Sequence, residues 1–465
     1  MKLFKFTLLT VLSLKTVLSF CYVSPYIRDL PKNDLLEVEA EANVDGNIFA
    51  YITDTSNNNS VHVLDTPTNT VVGSPIPVDN YPTGIAITKT SSGTFAYVVN
   101  RDSGTVRVIN IDTDTVVGPP IQLEVGITEI AIATTASGTF AYITNYDKNN
   151  VSVINTENNT VLPTPIDVGA APIGITIVET ENGLYAYVAN LLNESVSVID
   201  TETNIVQSID LGSGTYPISV TSAITSTGTF AYVVSQTQNG TVIVIDTKTN
   251  TVVGAPLDVG SFPNHIATAY TPYGAFTYVA NAMDGTVSVI DTEKQEVLPN
   301  PIDLGGNPAV IGVANVPIET EITSTAFETN TVLYVTNSNG TIGMINVATN
   351  QPIEPPIQFD GIPLAIAIAP SNFSPSVTVS GYCKKNSFFT QTERFIVVKW
   401  SPSEGVFPLQ YKIFRDGELI ATVPATNKLA IEDHNRKKGT AYSYQVDAED
   451  DSGTIATGTT TLICH

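Results

Sequence analysis

The chain carries four histidines, His62, His265, His434 and His465, and three cysteines, Cys21, Cys383 and Cys464. No two of them stand at the spacing of a zinc-ligand pair, so a Cys/His metal centre is not expected. Cys464-His465 ends like a haem-attachment run, but the earlier cysteine such a run needs is Thr461. There is no GxSxG elbow and no glycine loop of the kind that cradles phosphate. His265 has the widest chemical scope. Beside an Asp or Glu it would serve as a general base, the role that lactone hydrolysis or β-elimination requires; a hydrogen-bonded rim side chain is the competing reading. No catalytic constellation stands out, so the sequence favours a non-enzymatic protein over an enzyme.

The elements around these residues repeat. Tyr51, Tyr97, Tyr142, Tyr187, Tyr232, Tyr278 and Tyr334 head seven copies of one short string, at successive separations of 46, 45, 45, 45, 46 and 56 residues. A fixed period of this length marks stacked supersecondary units, none able to bury its apolar faces alone. Each copy holds four strand-like runs: the tyrosine strand, an alternating run such as Thr105 to Asn110, a run such as Thr251-Val252-Val253, and a small apolar run such as Gly84-Ile85-Ala86-Ile87. Val and Ile alternating with polar residues predict half-buried strands, and no stretch shows helical spacing. A DTxTN turn follows the second run, its Asp and Asn side chains suited to tight backbone. Four strands per period is the form of a β-propeller blade, and seven periods predict an all-β, seven-bladed ring over 47–370. The first copy lacks an apolar fourth run, since Val38-Glu39-Ala40-Glu41 stands there, while a spare one, Ala365 to Ile368, lies at the far end. The spare run is therefore expected to complete the first blade and lock the circle.

Binding residues concentrate on loops held by a rigid scaffold. Two loop sets should form one face at the mouth of the central channel. The set before each fourth run offers Tyr81, Tyr216, Phe262, Asn264 and His265; the set after each tyrosine strand offers Arg101, Asp102, Tyr146, Asp147, Lys148, Leu191, Leu192, Glu194, Met283 and Asp284. Unlike the strands, they differ from blade to blade. Drift on a solvated rim would give the same variability.

The repeats resemble the YVTN family of β-propellers, whose pentapeptide stands here as Tyr334-Val335-Thr336-Asn337 within LYVTN. The resemblance covers roughly 47 to 370, with Asp54 and Ser235 replacing the usual Asn and a longer segment before Tyr334. It implies an extracytoplasmic binding or surface-layer protein, with lactonases and lyases among relatives on the same fold. Fold alone does not choose among these.

From about Ser371 the period stops. The runs Phe395 to Trp400, Tyr411 to Phe414 with its Asp416-Gly417 turn, and Gly439 to Val446 resemble a fibronectin type III domain over 371–465. That resemblance makes Trp400 a core residue and Tyr442 the corner tyrosine of a β-sandwich. Cys383 and Cys464 then end its first and last strands, where a disulfide can form; two unpaired thiols are the other reading.

Residues 1–19, with Lys2 and Lys5 before an apolar Phe6 to Leu14, read as a signal peptide, followed by an N-terminal segment at 20–46. A rival is lipid attachment at Cys21, although Phe20 suits that processing poorly. The expected location is the cell envelope or extracellular space, with no transmembrane segment in the mature chain. Between 47 and 370 six basic residues face 29 acidic ones. Such a surface repels phosphate backbones and anionic membranes, so nucleic acid is not an expected partner. The acidity serves solubility; a divalent cation in the channel is the sharper reading, and no other cofactor is expected. These features describe an exported scaffold that presents its propeller loop face to a protein or glycan at the cell surface. A channel-mouth lactonase or lyase and a surface-layer component are the alternatives.

Overall fold

A computed structural model describes residues 48–463 apart from short segments, the longest of them 318–328, 370–378 and 401–409. The expected signal peptide, Cys21, Cys464 and most of the longer segment before Tyr334 lie outside the described residues. The chain divides into two compact units, the larger ending at Ala369 and the smaller built mainly on 370–465. Every regular element of the described residues is a strand.

The larger unit is a β-propeller whose described residues form seven antiparallel sheets. In the sheet Pro82–Thr90, Gly93–Asn100, Thr105–Asn110, Thr115–Gln122 the strands lie side by side in chain order, from the centre outward. Two sheets split their outer strand, one into Thr160–Val161 and Ile166–Asp167 and the other into Glu296–Val297 and Ile302–Asp303. Neighbouring inner strands meet around the ring; Thr221 Oγ1 contacts Thr268 Oγ1 at 3.3 Å between two of them.

The circle closes as expected. Pro363–Ile368 pairs antiparallel with Phe49–Asp54, setting Tyr51 opposite Ala367 and Ile52 opposite Ile366. The first sheet thus takes its inner strand from the far end of the ring, which covers the edge of Phe49–Asp54 that would otherwise be left open. The unusual Asp54 belongs to this seam: it is buried, and its Oδ1 accepts from the Ile362 N–H at 2.8 Å and from Ser56 N at 2.9 Å. Burial alone would raise its pKa; hydrogen bonds from His62, Ser56 and Ile362 outweigh that and hold it below the usual carboxylate range.

The half-buried reading of the second strands is corrected. Ser195–Asp200 is buried at five of its six positions, and the tyrosine strands are buried along both faces. Each blade is sandwiched between two others, so its middle strands meet no solvent on either side. The tyrosines show how the sandwich is latched. Tyr51 donates to Asp114 Oδ1 at 2.7 Å and Tyr97 to Asn159 Oδ1 at 2.6 Å. Tyr142 donates to the Thr201 carbonyl at 3.2 Å and Tyr187 to Asn250 Oδ1 at 2.5 Å. Tyr232 donates to the Thr292 carbonyl at 3.3 Å and Tyr278 to Asn350 Oδ1 at 2.7 Å. Each hydroxyl grips the DTxTN-type turn of the next sheet, and Tyr334 returns to the first through Thr66 O at 3.2 Å. The acceptor asparagines Asn69, Asn159, Asn250 and Asn350 have φ between 53 and 57°, a left-handed turn conformation Asn tolerates.

The smaller unit holds a three-stranded sheet (Val379–Phe388, Gln391–Trp400, Ala430–Asp433) and a four-stranded one. The second runs Glu418–Pro424, Gln410–Arg415, Ala441–Glu449, Ile455–Ile463. Asp416 and Gly417 have φ of 51 and 85°, the turn their sequence predicts. Tyr442 is buried and its hydroxyl accepts from the Lys437 N–H at 3.0 Å. Cys383 lies on the first strand, and its pairing with Cys464 falls outside the described residues.

Candidate functional site

Consecutive antiparallel strands put the two predicted loop sets at the same end of every sheet, and backbone bonds tie the sets together. The N–H of Arg101 donates to Tyr81 O, Tyr146 to Gly126 O, and Leu191 to Ala171 O. Gln236 donates to Tyr216 O, Ala282 to Phe262 O, Ser338 to Asn307 O, and Thr55 to Ile362 O. One clamp per sheet makes the face a rigid platform. Side chains add to it: Asn59 Oδ1 accepts from Tyr81 N, Asn149 Oδ1 from Ala171 N, and Asp284 Oδ2 from Ser261 N at 2.7 Å. Tyr81, Ala171 and Phe262 each precede a proline with φ of 62, 56 and 47°. Left-handed backbone at bulky residues is strained and persists only where the surroundings fix it.

The predicted residues separate into supports and a presented set. Tyr81 is buried in the core cluster around Ile85 and Leu364. Asn264 is held by Gln236 Nε2 at 2.5 Å, and Tyr216, Phe262 and Tyr146 are half-buried. Arg101 lies 6.0 Å over the Tyr146 ring. Asp102, Asp147, Met283 and Asp284 are exposed, with Met283 45% accessible. Leu192 at 46% and Val125 at 54% join them on the same loops. Val125 is not among the residues the sequence singled out.

His265 is not a rim base. It is 1% exposed, and its Nδ1 accepts from the Ile311 N–H at 3.3 Å, so the ring proton sits on Nε2. Burial pushes its pKa down to about 3, which leaves the ring neutral with its lone pair already engaged. The competing reading of a hydrogen-bonded side chain fits except for its place on the rim, because channel-mouth position in sequence does not reveal that the inner strands close over the side chain.

Glu129, which the sequence reading passed over, has the matching role. It is 1% exposed and its Oε2 accepts from the Ile175 N–H at 2.6 Å. Glu129 and His265 both reach 46 residues ahead to the inner strand of the next sheet, and both sit where their own strand shifts register or begins. Burial pushes the Glu129 carboxyl well above the usual range, against the Ile175 N–H that favours the charged form. A signal was present: Glu129 stands where Gly84 and Gly174 stand in other copies. Each of the two staples one blade to the next, and their geometry provides no nucleophile, general base or ligand set. Among the described residues no three His, Cys, Asp or Glu side chains gather to hold a metal ion. Much of the acidity of the ring lies on exposed loops and turns; Asp54, Asp291 and Glu129 are buried, and Glu129 is the one of these on an inner strand.

No protein-family model matches the chain, and no curated protein does. Solved structures do match. A functionally unknown protein of Desulfotomaculum acetoxidans is similar at 17% identity and a TM-score of 0.51, covering 69% of this chain and 98% of its own. A Lactobacillus plantarum protein is similar at 16% identity and a TM-score of 0.50, covering 69% of this chain and 99% of its own. Virginiamycin B lyase from Staphylococcus aureus is similar at 14% identity with a TM-score of 0.45, covering 67% of this chain and 90% of its own. The first two likenesses are to the fold alone and show nothing about activity.

Proposed function

We propose that the protein is an exported, non-enzymatic binding scaffold of the YVTN type, seven-bladed, with a fibronectin type III-like module after it. The loop face carries the binding. The observation behind this reading is the clamped platform, which holds both loop sets by backbone bonds while leaving Met283, Leu192 and Val125 accessible. Preorganised loops lose little entropy on binding, which is what a recognition surface needs. The lactonase or lyase alternative loses its best base with His265. An export signal before the ring supports a partner at the cell surface.

The test is affinity capture from an envelope extract with the purified chain and two double variants. Leu192→Asp with Met283→Asp alters the loop face; Val161→Asp with Ile205→Asp alters exposed apolar residues beside the opposite turns. A partner retained by the second variant and lost by the first supports the reading. Equal retention by both refutes it.

A further inference from the structure

The outermost strands of the propeller are interrupted in every sheet but one. Thr70–Pro77, Thr115–Gln122, Thr251–Asp258 and Gln351–Gln358 each shift register against the strand inside them, and each carries proline at or beside the shift: Pro75, Pro119, Pro256 and Pro355. The two split strands part around Pro163 and Pro165 and around Pro299 and Pro301. Bulges and prolines keep an edge from pairing with another chain. Val206–Asp210 is the exception. It contains neither proline nor glycine and holds one register from Ser195↔Asp210 to Ile199↔Val206.

This strand closes its sheet, and among the described residues no strand lies on its far side. The Asp200 N–H donates to Ile205 O at 3.0 Å and the Leu211 N–H to Glu194 O at 3.0 Å, so the odd-numbered residues bond inward. Val206, Ser208 and Asp210 therefore turn their N–H and C=O groups outward, an unbroken template for one more strand. Gln207 Oε1 accepts from Asn250 Nδ2 at 3.0 Å, which pins the template to the turn of the next sheet. Ile205, just before it, is 69% exposed, the most exposed large apolar side chain among the described residues.

We propose that the strand added here is the same segment of a second copy of this chain, antiparallel, across a two-fold axis at Ser208. In that register Ser208 faces Ser208 of the second copy and Val206 faces its Asp210, so every outward N–H and C=O of the strand finds a partner. No carboxylate faces another, since Asp210 meets Val206 and Glu202 lies opposite Gly214. Ile205 lands opposite the half-buried Leu211, an apolar cross-strand pair that covers the exposed isoleucine. Edge pairing buries less than the roughly 1,200 Å² at which stable complexes begin, so the dimer is weak, with a dissociation constant of about 10 to 500 µM. Two chains of net charge −24 repel each other, and salt that screens the repulsion strengthens the pair.

Sedimentation velocity of the full chain, from about 10 to about 500 µM, should show the mass climbing toward twice that of the monomer, further at high salt than at low. Ser208→Pro removes an outward N–H that no bond inside the sheet uses, and should abolish the dimer. Ala255→Pro on the neighbouring outer strand, which copies Gly118-Pro119-Pro120, should leave it intact. Under mild oxidation Ser208→Cys should give a disulfide-linked dimer, because facing Cα atoms of a hydrogen-bonded antiparallel pair lie about 5.5 Å apart, within disulfide reach. Val206→Cys, which faces Asp210 rather than itself, should not, and the wild type controls for the native cysteines. A chain that stays monomeric throughout overturns the proposal, as does a dimer that Ser208→Pro leaves intact. Cross-linking through Val206→Cys but not Ser208→Cys means another register and overturns it too. Should Ser208→Pro fail to fold, the two cysteine variants decide. A labelled peptide of residues 203–213 that binds this edge while the chain itself stays monomeric would assign the edge to a strand of another protein, and overturns the second copy as its occupant.

Discussion

The Tyr334 hydroxyl donates to Asn69 Oδ1 at 2.8 Å across 265 positions of sequence, joining the last repeat to the first. It is the long-range member of a set in which each signature tyrosine holds the next turn. Tyr334→Phe leaves Asn69 Oδ1 and Thr66 O without this donor, and about 1 to 2 kcal/mol should be lost. Chemical denaturation of the purified variant measures it. Because the contact closes the ring, the loss should appear in the unfolding of the whole propeller.

Alkali should act through the same set. Burial first, and nearby Glu202 and Asp200 next, push the Tyr142 pKa up to about 12, and Tyr97, Tyr187, Tyr278 and Tyr334 are raised further, burial leading in each. A raised folded pKa means stability fully present below pH 10 and lost as pH climbs through the folded values. Of the nineteen tyrosines, the latch set should therefore ionise only together with loss of the β-sheet signal above pH 11, and tyrosinate absorbance that reaches its full value while the sheet is intact would contradict the latch.

The seam itself can be cut. A chain ending at Asp360 lacks Pro363–Ile368, which exposes the edge of Phe49–Asp54 and removes Ile366 and Ile368 from the cluster they share with Ile52 and Met344. Thermal unfolding followed by circular dichroism should show the whole ring destabilised. A melting curve like that of the full chain would end the closure argument.

Glu129 and His265 titrate in opposite senses. His265, depressed to about 3, contributes stability that is complete above pH 6.5 and is lost as pH falls toward 3. Glu129, raised, contributes stability that is complete below pH 4.5 and is lost as pH rises through its folded value. His265→Gln keeps an acceptor for Ile311 but cannot titrate, so its stability should fall less than that of the wild type between pH 6.5 and 4. Glu129→Gln should gain relative to wild type as pH rises above 4.5. Paired denaturation curves at pH 4.5 and 7.5 check both signs.

The inner strands are packed to their limit at Gly174. A Cβ there would stand 2.5 Å from Ile218 O and 2.7 Å from Ser219 Cα, both backbone atoms of the next sheet. Gly174→Ala should cost about 1 to 3 kcal/mol in chemical denaturation, although φ at this position suits alanine.

Much of the fold was legible because its causes are local and repeated. The tyrosine period, the alternating Val and Ile of Thr286–Asp291 and the spare run at Ala365 announced the sheets and the seam. The burial of both faces was not legible, since alternation looks the same whether the polar side meets water or another blade. The site was legible only in part. Loop position identified Met283 and Asp284 as presented residues, but it could not tell them from Tyr81, which turns into the core, or from His265, whose acceptor nitrogen is taken by a strand 46 residues on. Whether a loop side chain faces solvent depends on its φ and its neighbour's hydrogen bonds, and neither is written in residue type.

The loop face as the binding surface is tested most directly by hydroxyl-radical footprinting of the protein alone and with its captured partner. Met283 is 45% exposed and reactive; Met344, 4% exposed, is the internal control. Oxidation of Met283 should drop severalfold on partner binding, together with that of Leu192, while Met344 stays unreactive in both states. Protection confined to Ile205 and Val161 beside the opposite turns, with Met283 oxidised as fast as in the free protein, would contradict the account.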